Sequence, residues 1–162
     1  VNRAEPGLIR TEADELTYCL HIMVRYELEK RMFDGSLTAH DLPAEWNRLY
    51  KEYLGIDVPD DRQGVLQDSH WANGNIGYFP SYAIGSAYGA QYLQEMSKDL
   101  DVDAVVRSGD LTPINNWLED RIWKHGCMKD PVALFESVCG KFDPACYVAY
   151  LEKKFTEVYG LS

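Results

Sequence analysis

The side chains best suited to chemistry lie in one segment, GVLQDSHWANGNIGYFPSYAIGSAYGAQY. Within it, Gln67, Asp68 and His70 precede a bend rich in Gly and Asn, and Tyr78 and Tyr82 follow the bend. An imidazole that is oriented by a neighbouring carboxylate and amide can exchange a proton with a substrate, and a phenol can stabilise a developing oxyanion. The alternative is that these groups only satisfy backbone groups around the bend, as buried polar side chains commonly do.

Arg10 is a second candidate, in the segment IRTEADE. It comes directly before Thr11, which the sequence suggests as the N-cap of a long helix. A planar guanidinium beside the free N–H groups of a helix start is a good receptor for a carboxylate. The alternative is a simple pair between Arg10 and Asp14 or another acid of the first turn, because surface pairs of this kind are common.

The elements that must position these groups are helical. Apolar residues recur at a spacing near 3.6 through most of the chain, and no alternating strand of useful length appears. Helices are expected over residues 11–33, 42–54, 65–70 (a short turn), 80–98, 102–107, 112–125, 131–139 and 144–159. We therefore predict an all-α fold in which residues 1–162 form a single helical domain.

Two of these helices carry patterns that predict packing. The helix over residues 11–33 is expected to bury an apolar stripe made of Leu16, Leu20, Met23, Val24 and Leu28.

The helix after Pro80 contains Gly85 and Gly89 on the face that also carries Tyr78 and Tyr82. A mid-helix glycine costs up to ~1 kcal/mol relative to alanine. We therefore expect another helix or a ligand to approach the backbone there, with helix packing the more common reason.

Composition excludes several classes of function. The 162 residues carry a net charge of -10, which repels phosphate backbones and argues against nucleic-acid binding. No apolar run approaches the roughly 20 residues that span a bilayer, and the start VNRAEPGLIR does not read as a signal peptide. The four cysteines are too few and too scattered for a disulfide framework, which favours a reducing, cytoplasmic setting.

The sequence does not supply a complete metal site. It contains no H-E-x-x-H, and His125, Cys127, Cys139 and Cys146 lack the paired spacing that marks a zinc site. No G-x-S-x-G elbow and no phosphate-binding glycine loop is present either.

Two motifs nevertheless identify a family. The segment from Ile9 reads I-R-x-x-A-D, and the segment from Gly64 reads G-x-x-Q-D-x-H-W. Together with GYFPSYAIG they closely resemble the carboxypeptidase Taq family of thermostable zinc metallocarboxypeptidases, and the likeness extends over essentially the whole chain. The resemblance implies an all-helical, saddle-like, zincin-type enzyme that removes single amino acids from peptide C-termini with broad tolerance, usually as a homodimer.

The resemblance also implies where the metal is held. In the family, zinc is bound by an H-E-x-x-H helix and a later glutamate, all upstream of the segment that begins near IRTEAD. This sequence then corresponds to the C-terminal portion of a longer enzyme, without the zinc-binding half. We expect the chain alone to be inactive and to expose apolar surface that normally packs on that half.

In the family, the two motifs line the groove near the zinc and are associated with the C-terminal end of the substrate. The resemblance therefore implies catalytic roles for His70 and for one of Tyr78 or Tyr82, and a carboxylate-binding role for Arg10. Three further residues are expected to assist substrate binding by holding these groups in place: Asp14, Gln67 and Asp68. No metal ligand is expected in this chain.

A different class of function is a helical interaction module with no catalytic role, such as a subunit adaptor. It would present the glycine-bearing face to a protein, and it would not distinguish a free peptide C-terminus from an amidated one.

Overall fold

The computed structural model describes residues 2–161, and all the regular structure in that range is helical. Seven α-helices follow one another: α1 Tyr18–Phe33, α2 Leu42–Leu54, α3 Pro80–Met96, α4 Val102–Ser108, α5 Thr112–Arg121, α6 Pro131–Cys139 and α7 Ala145–Tyr159. Short 3-10 turns lie at Arg10–Glu12, Trp71–Asn73 and Trp123–His125. The predicted all-α class is confirmed.

The described chain forms two compact units, the first ending at Ile84 and the second beginning at Gly85, inside α3. In the first unit, α1 packs against α2. The core of this unit consists of Val24, Leu28, Leu37, Trp46, Leu49, Tyr50, Leu54 and Val65.

The start of α1 differs from the prediction. The helix begins at Tyr18, not near Thr11, and Ala13 is extended with φ -64° and ψ 143°. Thr17 is the N-cap residue of α1, and Asp14 caps the turn that leads into it, since its Oδ1 accepts hydrogen bonds from the backbone N–H groups of Leu16 and Thr17, both at 2.9 Å. The expectation that Arg10 lies directly at the start of the long helix is therefore wrong.

The buried face of α1 also differs from the expected apolar stripe. Val24 and Leu28 are fully buried, but Leu16 is 40 % exposed and Met23 is 47 % exposed. The buried positions in line with the core are taken by three polar residues at a spacing of four: His21, Arg25 and Glu29. The helix therefore turns a largely polar stripe inward, for reasons that lie in the site described below.

The short helix expected over residues 65–70 does not form. The chain makes turns there, and a single 3-10 turn follows at Trp71–Asn73. Gln67 explains the difference, because its side-chain amide bonds the distant carbonyl of Leu8 at 3.0 Å as well as the nearby carbonyl of Gln63. Long-range hydrogen bonds thus replace a regular local helix.

In the second unit, aromatic rings from α3 and α6 make the main contact. Tyr88 stacks on Phe135 with ring centroids 3.9 Å apart, and Tyr92 meets the same ring edge-on. The buried amide of Gln91 fastens the turn between α6 and α7, because it donates to the carbonyls of Cys139 and Lys141.

The glycines of α3 have no close neighbour in this chain. A Cβ added to Gly85 or Gly89 would find open space out to 4 Å among the described residues. No helix among the described residues therefore approaches the backbone at these positions, and the alternative of a ligand stays a prediction.

Helix ends elsewhere lie within a few residues of their predicted positions. The bounds of α2 and α6 are as predicted. Pro43 lies in the first turn of α2, but Asp41 makes no side-chain cap bond there, whereas Asp130 caps α6 through its side chain. α5 is shorter than expected: it ends at Arg121, and a separate 3-10 turn covers Trp123–His125.

The two candidate caps of the first helix can be told apart by substitution. We expect Asp14→Ala to lower the free energy of unfolding by about 1 kcal/mol, because two backbone N–H groups lose their acceptor. Thr11→Ala, the matched control at the position the sequence suggested, should change it by less than about 0.5 kcal/mol. Urea unfolding followed by circular dichroism measures both, and the reverse order would contradict the observed helix start.

Candidate functional site

The carboxylate of Asp68 lies between two buried guanidinium groups. Arg10 donates to it through Nη2 at 2.7 Å and through Nε at 3.1 Å. Arg25 donates from the other side, with its Nε 2.6 Å from Oδ2. The two arginines come from different parts of the first unit, so a single carboxylate joins the N-terminal segment, α1 and the 64–79 loop.

Both arginines are packed among aromatic rings. Arg25 is 0 % exposed, and its guanidinium lies 4.6 Å from the ring centroid of Trp46. Arg10 is 6 % exposed and lies 5.1 Å from the ring centroid of Tyr82. Contact with ring faces stabilises a desolvated cation and fixes the plane of its guanidinium.

The charge of Asp68 is maintained by its partners. Burial alone would raise the pKa of this carboxyl, but the hydrogen bonds and charges of Arg10 and Arg25 outweigh it and hold the pKa below its usual value. The carboxylate therefore stays ionised across the neutral range, and two positive charges face one negative charge in this cluster.

Gln67 completes the connection between the same segments. Its Oε1 accepts from the backbone N–H of Arg10 and from Nη2 of Arg25, both at 2.9 Å. Its Nε2 donates to the carbonyl of Leu8 at 3.0 Å and lies 3.2 Å from the hydroxyl of Tyr50. This one amide thus fixes the backbone of residues 8–10 against α1 and α2.

His21 and Tyr50 continue the network into the core. The hydroxyl of Tyr50 donates to the carbonyl of Leu8 at 3.2 Å, and Nδ1 of His21 lies 3.1 Å from the same hydroxyl. Because Tyr50 has only one proton to give, His21 must be the donor through Nδ1, which leaves Nε2 unprotonated. Burial and then the charges of Arg25 and Arg10 lower the pKa of His21 from 6.5 to about 4, so the ring is neutral near pH 7.

His70 and Tyr82 form a pair beside this cluster. Nε2 of His70 lies 3.0 Å from the hydroxyl of Tyr82, and the imidazole packs on Phe79 with centroids 4.5 Å apart. Nδ1 of His70 is 3.8 Å from Oδ1 of Asp68, too far for a hydrogen bond but close enough to favour a proton on that nitrogen. In that tautomer, Nε2 accepts the phenolic proton of Tyr82.

The bend that follows His70 is held by Glu29, the third polar residue of α1. Its Oε1 accepts from the indole Nε1 of Trp71 at 2.7 Å and from the backbone N–H of Gly77 at 3.2 Å. Gly77 has φ +71°, a value that favours glycine. The loop is thus attached to α1 at both ends, through Asp68 and through Glu29.

Of the seven predicted site residues, five meet in one cluster: Arg10, Gln67, Asp68, His70 and Tyr82. Tyr78 lies at its edge, 50 % exposed, with its ring 5.3 Å from that of Tyr82. Asp14 is occupied as a helix cap, and Arg10 pairs with Asp68 instead of Asp14.

Sequence reasoning missed Arg25, Glu29 and Tyr50. The available signal was the run of polar residues at a spacing of four, His21, Arg25 and Glu29, on a helix whose opposite side is apolar. Such a pattern is normally assigned to the solvent face, and only the positions of their partners on the 64–79 loop show that it points inward.

A metal site is not assembled by these groups. Among residues 2–161, no group of three or more His, Cys, Asp or Glu side chains could hold a metal ion. The single nitrogen with a free buried lone pair at the core of the network, Nε2 of His21, has no second ligand of this kind beside it.

The comparison with known families shows the family of the chain. The model of the carboxypeptidase Taq (M32) metallopeptidase family matches residues 1–155. The chain belongs to the carboxypeptidase Taq (M32) metallopeptidase family. Carboxypeptidase 1 of Bacillus subtilis is 44 % identical over 161 residues, which cover 98 % of this chain and 32 % of that protein. Thermostable carboxypeptidase 1 of Thermus thermophilus is also 44 % identical, over 99 % of this chain and 32 % of that protein.

Solved structures of M32 proteins have the same helical fold. The M32 carboxypeptidase of Deinococcus radiodurans superposes with a TM-score of 0.95 at 37 % identity, over 99 % of this chain and 33 % of that one. Metallocarboxypeptidase 1 of Trypanosoma cruzi gives a TM-score of 0.89 at 40 % identity, over 93 % and 32 % of the two chains. This M32 chain therefore spans about a third of the length of the relatives that it matches.

No helix within residues 2–161 is both long enough and apolar enough to span a membrane.

The buried imidazole of His21 predicts a specific pH dependence. Its folded-state pKa of about 4 lies below its unfolded value of 6.5, so the unfolded chain takes up a proton first. The stability from this group is fully present above about pH 6.5 and is lost as the pH falls toward 4. Between pH 6.5 and 5, His21→Asn should make the fall in unfolding free energy shallower, by at most about 1.4 kcal/mol per pH unit.

The exposed His40 provides the control. Urea unfolding at several pH values should give the same slope for His40→Asn as for the unaltered chain. An unchanged slope for His21→Asn would contradict a neutral, buried His21.

Proposed function

We propose that this chain forms part of the substrate groove of a metallocarboxypeptidase that releases single amino acids from peptide C-termini with broad side-chain tolerance. The observation that carries the proposal is the meeting of His70, Tyr82 and the Arg10–Asp68 pair in one cluster on a chain that belongs to the M32 family. An exopeptidase must recognise a free α-carboxylate, and this cluster combines hydrogen-bonding groups with an excess of positive charge.

The proposed catalytic pair is His70 and Tyr82. With its own proton on Nδ1, His70 accepts a hydrogen bond from the phenol of Tyr82 at Nε2. The phenolic proton can therefore be held between the two side chains or be returned to Tyr82 as a substrate group takes up charge. Tyr78 borders the pair and is more exposed. We therefore assign the proton-holding role to Tyr82 and a substrate contact to Tyr78.

Arg10 is proposed as the group that attracts the substrate carboxylate. Among the described contacts, Asp68 and Tyr18 take Nε–H, one N–H of Nη2 and one of Nη1, which leaves two of the five guanidinium N–H groups. Asp68 and Gln67 hold Arg10 in place and act on the substrate only through it. Asp14 supports the same segment by capping the turn that precedes α1.

The remaining parts of the proposal concern the longer protein. We propose that it binds zinc through residues outside these 162, that it forms a homodimer, and that it acts in the cytoplasm. Four free cysteines support a reducing compartment. Because the sequence lacks an H-E-x-x-H motif, we propose that the chain alone releases no amino acids.

A chimera tests the assignment of residues. The 162 residues would replace the matching third of Bacillus subtilis carboxypeptidase 1, and release of C-terminal residues from a short peptide would be measured with zinc supplied. We expect His70→Gln and Tyr82→Phe to lower kcat by about 100-fold or more, because a proton-transfer group or an oxyanion donor is lost. Tyr78→Phe is the matched control and should retain most of kcat.

The role of Arg10 is read from substrates that differ only at the C-terminus. Peptides with a free carboxylate should bind the chimera more tightly than amidated peptides, and Arg10→Lys should reduce that difference. Full activity of His70→Gln and Tyr82→Phe, or equal binding of both peptide forms, would contradict the proposed groove.

A further inference from the structure

The outward side of α1 carries an apolar stripe that nothing in the first unit covers. Met23 is 47 % exposed, Tyr26 is 45 % exposed and Phe33 is 68 % exposed, and Leu16 in the preceding turn is 40 % exposed. A helix at the surface of a globular protein normally shows the opposite arrangement, with polar residues outward.

The spacing of this stripe matches helix packing. Leu16 and Met23 are seven residues apart, as are Tyr26 and Phe33, and Met23 and Tyr26 are three apart. Met23, Tyr26 and Phe33 take a and d positions of a heptad pattern, which places their side chains along one line of α1, and Leu16 continues the spacing in the turn before the helix. Such a line fits into the groove of another α-helix that crosses at roughly 20°.

The buried polar contacts of α1 fix the orientation of the helix and so keep the apolar stripe exposed. His21, Arg25 and Glu29 are fixed in the buried network, so α1 cannot rotate to bury Met23 and Phe33 without breaking the bonds to Asp68 and Trp71. The apolar side chains must therefore be covered from outside the described unit or stay in contact with water, which is unfavourable for apolar surface.

A second copy of the chain does not fit this surface well. α1 has 16 residues, about 24 Å of helix, and the stripe offers four apolar side chains. Stable interfaces between separate proteins use about 20–30 residues a side and must also offset the entropy of association. A helix that belongs to the same polypeptide does not lose this entropy of association, because it is already covalently connected.

The relatives contain further polypeptide from which such a helix could come, because this chain matches only about a third of their length. We propose that the outward stripe of α1 is the surface on which a helix from the other two-thirds of the M32 polypeptide packs. That helix carries apolar side chains at alternating spacings of three and four. Opposite the segment between Tyr26 and Phe33 it carries an acidic or small polar residue, because Lys30 occupies the remaining a position and lies over the ring of Tyr26.

Thermal unfolding in two contexts tests the proposal, and it requires no catalytic activity. The double variant Met23→Gln/Phe33→Gln would be made in the isolated chain and in the chimera with Bacillus subtilis carboxypeptidase 1. We expect the melting temperature of the chimera to fall by roughly 3–8 °C, because two buried contacts are lost. The isolated chain should change by less than about 2 °C, because both side chains are already exposed there.

The matched control keeps the stripe apolar. Met23→Leu/Phe33→Leu should leave both melting temperatures close to their starting values. A chimera that becomes insoluble with the Gln pair but not with the Leu pair, while the isolated Gln variant stays folded, would also support the proposal.

Two results would overturn it. Equal shifts in the two contexts would show that the stripe is not covered by the additional polypeptide. A concentration-dependent dimer of the chimera in analytical ultracentrifugation, abolished by the Gln pair, would show that a second copy is the occupant even when the additional polypeptide is present. Because the readout is stability and not activity, the packing proposal can fail while the proposed peptide groove stands. The proposed groove can likewise fail while the packing proposal stands.

Discussion

The first unit depends on one buried carboxylate shared by two arginines. Removing three charges from water is costly, and it is tolerated only when every hydrogen-bonding group finds a partner in good geometry. Asp68 meets this condition through Arg10 and Arg25, and Gln67 satisfies the neighbouring backbone and guanidinium N–H groups. The specific conformation of residues 8–10 and 64–79 follows from that requirement, since these segments contain only short 3-10 turns, which would not hold them alone.

The inward side of α1 has two structural roles: its polar residues hold the loop, and its apolar residues contribute to the core. The inward side uses Arg25 and Glu29 to fix both ends of the loop that carries His70 and leads to Tyr82. The core of the unit is left to Val24 and Leu28 and to the aromatic residues of α2. The loop that carries His70 is therefore held by a rigid helix. Support from a rigid element is the usual condition for precise positioning of catalytic groups.

Local signals in the sequence predicted the scaffold well. Pro43 in the first turn and Gly55 at the end indicated the bounds of α2, because such signals act within one turn of the chain. The motif residues could be placed in a single site, although the seven were not equivalent: Asp14 serves as a helix cap and Tyr78 lies at the edge.

The errors have a common physical origin. Thr11 looked like a cap until the long-range bonds of Arg10 were known, and residues 65–70 looked helical until Gln67 was seen to bind Leu8. His21, Arg25 and Glu29 followed the spacing of a solvent face. In each case an interaction between residues at least 29 positions apart overrode the local preference, and no pattern within a single segment could reveal it.

Hydrogen–deuterium exchange on the Asp68→Asn variant tests the central role of this carboxylate most directly. With two guanidinium groups left without their counter-ion, protection should be lost at the amide of Arg10 and across residues 64–79, while α2 keeps more of its protection. Asp57→Asn, which removes an exposed pair with Lys51, should change neither segment. Unchanged protection of both segments in Asp68→Asn would show that the structure does not depend on the shared carboxylate.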